Sequence, residues 1–235
     1  MISGLTWLDG VSLACFLFVL LSYGRLAVLI GGGRSLNALM HQVRRGWMQR
    51  MIDRPDRIVD AALTGHTVSS IAFFSSANIL IVAGLFGLLG RSDDLYRVIS
   101  AWPFVTSMSA NLIQLKILGL IAILGYGFFR FTWALRQYNY CCALIGAAPL
   151  ADDSHPHRRE IADQVAIVFT SALRSFGAGI RCYYFAVAWI TWLAGPTALL
   201  LATGIITVIL LRRQMASHSA RAIRRYIELN PPTET

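Results

Sequence analysis

Charge is what this sequence has least of. Only 14% of its 235 residues are Asp, Glu, Lys or Arg, too few for the surface of an ordinary water-soluble domain. Acidic groups are the scarcer sign, 12 against 21 basic ones, which leaves a formal charge of +9. No compact basic domain collects that excess. The arginines flank long apolar runs, as juxtamembrane residues do, so nucleic acid is not an expected partner. Cysteine is sparse and unpatterned: Cys15, Cys141, Cys142 and Cys182 form no CxxC pair. Cys15 falls in the first apolar run and the other three on the side assigned below to the cytoplasm, which argues against a disulfide framework. The motifs of catalysis are missing too. Gly31–Gly33 lacks the lysine of a phosphate loop, and neither a nucleophile elbow nor an HExxH helix is present. An enzyme is not expected, nor a cofactor. No basic segment precedes the first apolar run and no small-residue cleavage site interrupts it, so the N-terminus is not read as a cleavable signal.

What the chain has in abundance is apolar length. Hydrophobic residues make up 56% of it, and about 20 in a row suffice to cross the hydrocarbon of a bilayer. The reading is an all-α polytopic membrane protein, one integral domain with five spans at about 7–30, 66–89, 112–131, 176–194 and 197–211. Trp7 suits the outer interface, and Gly31–Gly33 ends the first helix. Ser69, Ala72, Ser76, Ala83, Gly87 and Gly90 form a small-residue face on the second span, where helix backbones can approach closely. Asn78 lies mid-span and needs a partner inside the bundle or across an oligomer interface. The interval 91–111, with Trp102–Pro103, is an outer loop. Lys116 sits near the outer end of the third span, a position from which lysines commonly snorkel. That helix is expected to continue past the bilayer through Cys142, until Gly146 and Pro149 stop it.

Charge also decides the end of the chain. Gly195–Pro196 divides the apolar stretch Cys182–Leu211, and turning the backbone there into a hairpin returns the arginine-bearing tail to the same side as the other basic intervals. That side is then cytoplasmic, with segments 34–65, 136–175 and 212–235. Within them Leu36, Met40, Val43, Trp47 and Met51 recur at helical spacing, with Arg44, Arg45, Gln49 and Arg50 elsewhere on the wheel. A second stripe is Ile161, Val165, Val168, Ala172 and Phe176, within a cytoplasmic helix Arg159–Arg181. Ile223, Tyr226 and Ile227 with Arg221, Arg224 and Arg225 make a short basic helix that Pro231–Pro232 ends. Each reads as amphipathic, lying on the membrane or packed against another cytoplasmic helix.

Several stretches are distinctive when taken together: FTWALRQYNYCCALIGAAP at 131–149, GIRCYYFA at 179–186, RMIDRPDRIVDAAL at 50–63, FFSSANILI at 73–81, and the Trp192–Pro196 turn. They resemble the multi-pass bacterial membrane family catalogued as domain of unknown function number five-hundred-ninety-nine, over roughly Val11 to Ser219. The resemblance implies multi-pass topology and brings no activity with it. With the charge bias it places the chain in a bacterial inner membrane, N-terminus periplasmic and C-terminus cytoplasmic.

The candidate site residues are the polar groups that membrane packing does not demand. Arg130, Arg136 and Arg181, with Tyr138, Asn139, Tyr140, Tyr183 and Tyr184, would line a cationic, aromatic inner mouth that attracts anions. Alternatively these arginines only orient the spans and pair with Asp60 or Asp163. Asn78, with Ser75 and Ser76, is either a polar constriction or an interhelical hydrogen bond. Asp152, Asp153, His155 and His157 crowd one short loop, too weak a pattern for a metal site. Cys141 and Cys142 point to different helix faces and read as packing. The expected function is an oligomeric channel or transport-type protein for ions or small solutes, with the lipid bilayer and further copies of the chain as partners. The alternative is a non-conducting accessory or scaffold subunit that docks other membrane proteins.

Overall fold

The computed structural model describes residues 5–100, 109–151 and 153–230. Trp102–Pro103, Asp152 and Pro231–Pro232 lie outside them. The described residues are helical throughout, without a strand. In order they form α1 (Trp7–Gly31), a 3-10 turn (Gly32–Arg34), α2 (Leu36–Met51), α3 (Ile58–Leu89), α4 (Ser92–Ser100) and α5 (Ala110–Ala147). Then come α6 (Arg158–Ile190), a second 3-10 turn (Thr191–Ala194), α7 (Pro196–Met215) and α8 (His218–Leu229). Five stretches are long and apolar enough to cross a membrane: α1, α3, α5, α6 with its 3-10 extension, and the α7–α8 stretch. The 38 residues of α5 extend about 57 Å at 1.5 Å per residue, nearly twice the hydrocarbon thickness of about 30 Å.

Local chemistry explains where the helices start and stop. Thr6 and Asp9 cap α1 reciprocally. The Thr6 amide and hydroxyl donate to Asp9 Oδ2 at 2.9 and 2.7 Å, and the Asp9 amide donates back to Thr6 Oγ1 at 3.4 Å. This is the geometry of a capping box, with the carboxylate at the positive end of the helix dipole. Ser35 and Ser217 cap α2 and α8 by accepting from the amides of Ala38 and Ala220. Gly32 and Gly195 adopt φ of 50° and 126°, a backbone that favours glycine. Pro196 follows at the first position of α7, where its missing N–H costs nothing.

Two compact units are built from this chain. The first comprises Met1–Leu26, Ser76–Phe129 and Ala178–Leu211; the second comprises Ala27–Ser75, Arg130–Gly177 and Arg212–Thr235. The first has an aliphatic core of Ile99, Ile113, Ile117 and Ile121 and an aromatic column. In that column Phe16 packs on Phe185 and Trp189, and Trp189 on Trp192, with ring centroids 5.0–5.9 Å apart. The second centres on Met48, Met51, Ile71, Tyr138, Cys141 and Phe169, beside a cluster of Phe74, Phe131 and Phe176. Every Lys and Arg except Arg25, Arg91, Arg97, Lys116 and Arg181 belongs to the second unit.

Three features differ from the sequence reading. The interval after α3 is not only loop: residues 92–100 form α4, because Ile99 has an apolar core to enter. The expected separate helix Arg159–Arg181 is the first part of α6, which runs unbroken through 33 residues. On α2, polar residues placed away from the packed stripe are themselves engaged. Gln49 is buried, and with Arg45 it is bonded to Asp163 of α6.

Candidate functional site

In the first unit, charged and polar side chains lie deep among apolar ones. Lys116 on α5 is only 5% exposed. Its Nζ donates to the Trp192 carbonyl at 2.7 Å and sits 4.8 Å from the centroid of the Trp192 ring. Trp192 Nε1 donates in turn to Asp9 Oδ1 at 2.7 Å. One tryptophan therefore answers both an ammonium and a carboxylate. The neighbouring Trp189 donates its Nε1 to the Lys116 carbonyl at 2.6 Å. Burying an ion at the centre of a membrane helix costs about 2.5–3.5 kcal/mol on insertion scales and less toward its ends, where Asp9 and Lys116 lie; such groups face partners, water or a transported species. The expected snorkelling of Lys116 does not occur. The side chain folds inward because the 3-10 turn at Thr191–Ala194 presents it with both a carbonyl and an indole face.

Asn78 on α3 is wholly enclosed by its own chain. Its Nδ2 donates to the Leu124 carbonyl at 2.8 Å, while its Oδ1 is buried with no partner among the described residues. An interhelical bond was one of its two expected fates, and this geometry supplies one. A ring of Asn78 side chains at a subunit interface would require the enclosing side chains to move aside. Arg181 lies over the Tyr23 ring at 5.2 Å, a cation–π arrangement, and Tyr183 is half-buried two residues further along α6.

The remaining candidates fall in the second unit. On α5, Arg130 is half-buried, Tyr138 is buried, and Arg136, Asn139 and Tyr140 are exposed. Tyr138 packs edge-on against Phe169, with centroids 5.3 Å apart, so it is a core residue and not a mouth-lining one. Asp60 and Asp163 pair with Arg54 and Arg45 (2.7 and 2.6 Å), instead of with Arg130, Arg136 or Arg181 as the orientation reading had it. Arg45 reaches both oxygens of Asp163, with Gln49 adding a bond at 3.0 Å. That fork geometry suits guanidinium on carboxylate, and it holds Arg45 above its ordinary pKa. Trp47 Nε1 donates to Asp60 as well. Gln137 bridges Ser171 and Ser175 of α6, at 2.7 and 2.9 Å.

His41 and Thr170 share a hydrogen bond at 3.0 Å. Burial, then the charges of Arg174, Arg44 and Arg45, hold the His41 imidazole below its usual value, with Asp163 opposing. Arg44, packed over Phe169 at 5.9 Å, is pushed down to about 10 by burial and by Arg174, and stays protonated at neutral pH. For His41 the folded state thus prefers the neutral ring. Unfolded chains take up the proton first, so stability falls as pH drops through about 6.5. The thermal midpoint in detergent is expected to decline between pH 7 and 5, and His41→Gln should flatten that decline.

The second unit also contains a cavity of about 460 Å³ where α3 begins and α5 ends. Arg57, Ala61, Gly65, Cys142, Ile145 and Gly146 are among the residues that line it. The HxH loop brings no further ligands together: His155 and His157 are neighbours, and no group of three or more His, Cys, Asp or Glu suited to a metal occurs among the described residues.

Asp9 and Trp192 were not named as site candidates by sequence, and Lys116 was expected only to snorkel. The signal available was an ionisable residue inside an apolar run, and Asp9 and Lys116 both carried it. Their meeting required packing between helices distant in the chain.

Five membrane-length helices carrying a buried acid and a buried amine define the class: a polytopic helical membrane protein. Within that class, residues 11–219 match the family described as "Protein of unknown function, DUF599", and the chain belongs to it. No curated protein and no solved structure matches it.

Proposed function

We propose that this protein is a channel or transport-type protein of a bacterial inner membrane, acting as a homo-oligomer on ions or small solutes, anionic ones among them. The observation that carries the reading is the Asp9–Trp192–Lys116 arrangement. A buried amine in a membrane-length helix is costly, and apolar packing could replace Lys116 there; Asp9 caps α1 through Oδ2 but also turns Oδ1 to Trp192. Asn78 Oδ1 is a further unanswered acceptor in the same unit. Arg136 and Asn139 are exposed on α5 and Arg130 is half-buried, which leaves polar and basic groups at the surface of the second unit. The bias of arginine toward segments 34–65, 136–175 and 212–235 supports a cytoplasmic C-terminus and a periplasmic N-terminus.

Reconstitution into liposomes tests this. Wild-type protein is expected to raise anion or cation flux above that of empty vesicles. Lys116→Met, similar in volume but uncharged, should alter that flux about tenfold or more, since one intramembrane charge is worth more than the 1.4 kcal/mol that a factor of ten requires. Flux no greater than that of empty vesicles, from folded wild-type protein, defeats the proposal. That result, with other membrane proteins co-purifying, would favour a non-conducting accessory or scaffold subunit. One observation supports this second reading: Arg45 and Gln49 on α2 are bonded to Asp163 on α6, and Trp47 on α2 to Asp60 on α3, which ties these three helices together as a rigid docking module would require.

A further inference from the structure

The cavity between the start of α3 and the end of α5 has the size of a small-ligand site, within the range of about 300–1,000 Å³, and it lies wholly within the second unit. Apart from Arg57 and Thr64 its wall is largely apolar, with the small residues Ala61, Gly65 and Gly146 beside Ile145 and Leu150. Gly65 and Gly146 are exposed, and a side chain begun at either would meet nothing within 4 Å, so the groove is open and has room for a ligand. Ile58, Val59 and Leu63 on α3, Leu144 near the end of α5 and Leu150 just beyond it are large apolar residues left exposed around the groove's elements. In a chain with membrane-length helices, that surface suits acyl chains better than water.

Arg57 supplies polarity at one end. Its guanidinium donates to the carbonyls of Ile145, Ala148 and Pro149, which fixes it at the C-terminal end of α5. A guanidinium has five N–H donors, so these bonds leave two over, one of them the buried Nε–H, which has no partner. Its charge is met by carbonyls alone. Among the described residues Arg57 enters no ion pair: Asp60 pairs with Arg54 and Asp53 with Arg158, while exposed Asp56, next to it in the chain, accepts from the Ile58 amide and keeps its charge. Arg57 therefore sets a pre-positioned cation, without an ion pair among the described residues, in the wall of an apolar groove at the end of a membrane-length helix. Basic pockets of this kind recognise anionic headgroups.

We propose that this cavity binds one acyl chain of an anionic phospholipid whose headgroup is held by Arg57. The claim is independent of whether the protein conducts. Cys142 lines the cavity and is exposed, whereas Cys141 and Cys182 are buried. In a Cys15→Ser background its labelling by a maleimide therefore reports occupancy. In mixed micelles, phosphatidylglycerol is expected to slow that labelling, while phosphatidylcholine at the same mole fraction and inorganic phosphate are not. Arg57→Gln should raise the phosphatidylglycerol needed for half-protection about five-fold, the worth of one basic residue near a lipid surface. Gly65→Leu, which fills the space from a position where a side chain fits, should abolish phosphatidylglycerol adducts in native mass spectrometry. Equal protection by both phospholipids, no protection by either, or adducts that survive Gly65→Leu would overturn the proposal. The wild-type lipid comparison and Gly65→Leu decide it even where Arg57→Gln fails to fold.

Discussion

Replacing Gly119 by alanine is expected to lower the thermal midpoint by about 6–12 °C, the equivalent of roughly 3 kcal/mol in a chain of this length. A methyl group there would stand 2.0 Å from Cζ2 and 2.7 Å from two further atoms of the Trp189 ring. One side or the other must shift, and Trp189 has little freedom to do so. Its Nε1 is bonded to the Lys116 carbonyl and its ring is packed against Phe16 and Trp192. The strain is expected to spread to the Trp192 carbonyl and indole that hold Lys116 and Asp9, so any flux should fall along with stability. Gly84 and Gly125 are the controls, since a Cβ at either meets nothing within 4 Å. Alanine there is expected to be neutral, or stabilising by up to about 1 kcal/mol through helix propensity. Tryptophan fluorescence during heating in detergent separates the cases. A Gly119→Ala protein that melts with the wild type would mean Trp189 is not so confined.

The second large effect belongs to Asp60. It is 0% exposed, and its Oδ1 accepts from both Trp47 Nε1 and Arg54 Nη1. Asp60→Ala leaves the indole N–H without an acceptor and strands the Arg54 charge. Losing the partner of a buried donor costs about 1–3 kcal/mol, and breaking a buried ion pair more. Because Arg54 is 41% exposed, water recovers part of that cost, and about 3 kcal/mol in total is the expected loss. Asp60→Asn keeps an oxygen for both donors and should lose clearly less. Unfolding midpoints of the two variants side by side provide the check. Equal losses would show that charge, not hydrogen-bond geometry, sets the role of Asp60.

Much of the helix plan could be read directly. Each apolar run long enough to cross a bilayer lies in a helix of membrane length, and the glycines expected to interrupt the chain do so at Gly32 and Gly195. The continuation of the third span past Cys142 is there in α5, which ends at Ala147. Partners were harder. Asp163 was a plausible acceptor for an inner-end arginine, but the one it takes is Arg45, 118 residues away. Tyr138 belonged by composition to a polar, aromatic cluster. Its position on the helix turns it into the core against Phe169, while Arg136 and Asn139, on either side of it, stay exposed.

Taken alone, the amino-acid order settled the class, the helical content and the breaks at Gly32 and Gly195. Transfer of apolar residues from water, glycine's access to positive φ and proline's missing donor all act over a few neighbouring positions. Only the folded chain decided which buried charges meet. Trp192 reaches Asp9 across 183 positions and Lys116 across 76, and the cavity beside Arg57 exists because two helices distant in sequence leave a gap edged by small residues. Such contacts depend on the packing of whole helices, which enforces a partner for every polar group it removes from water.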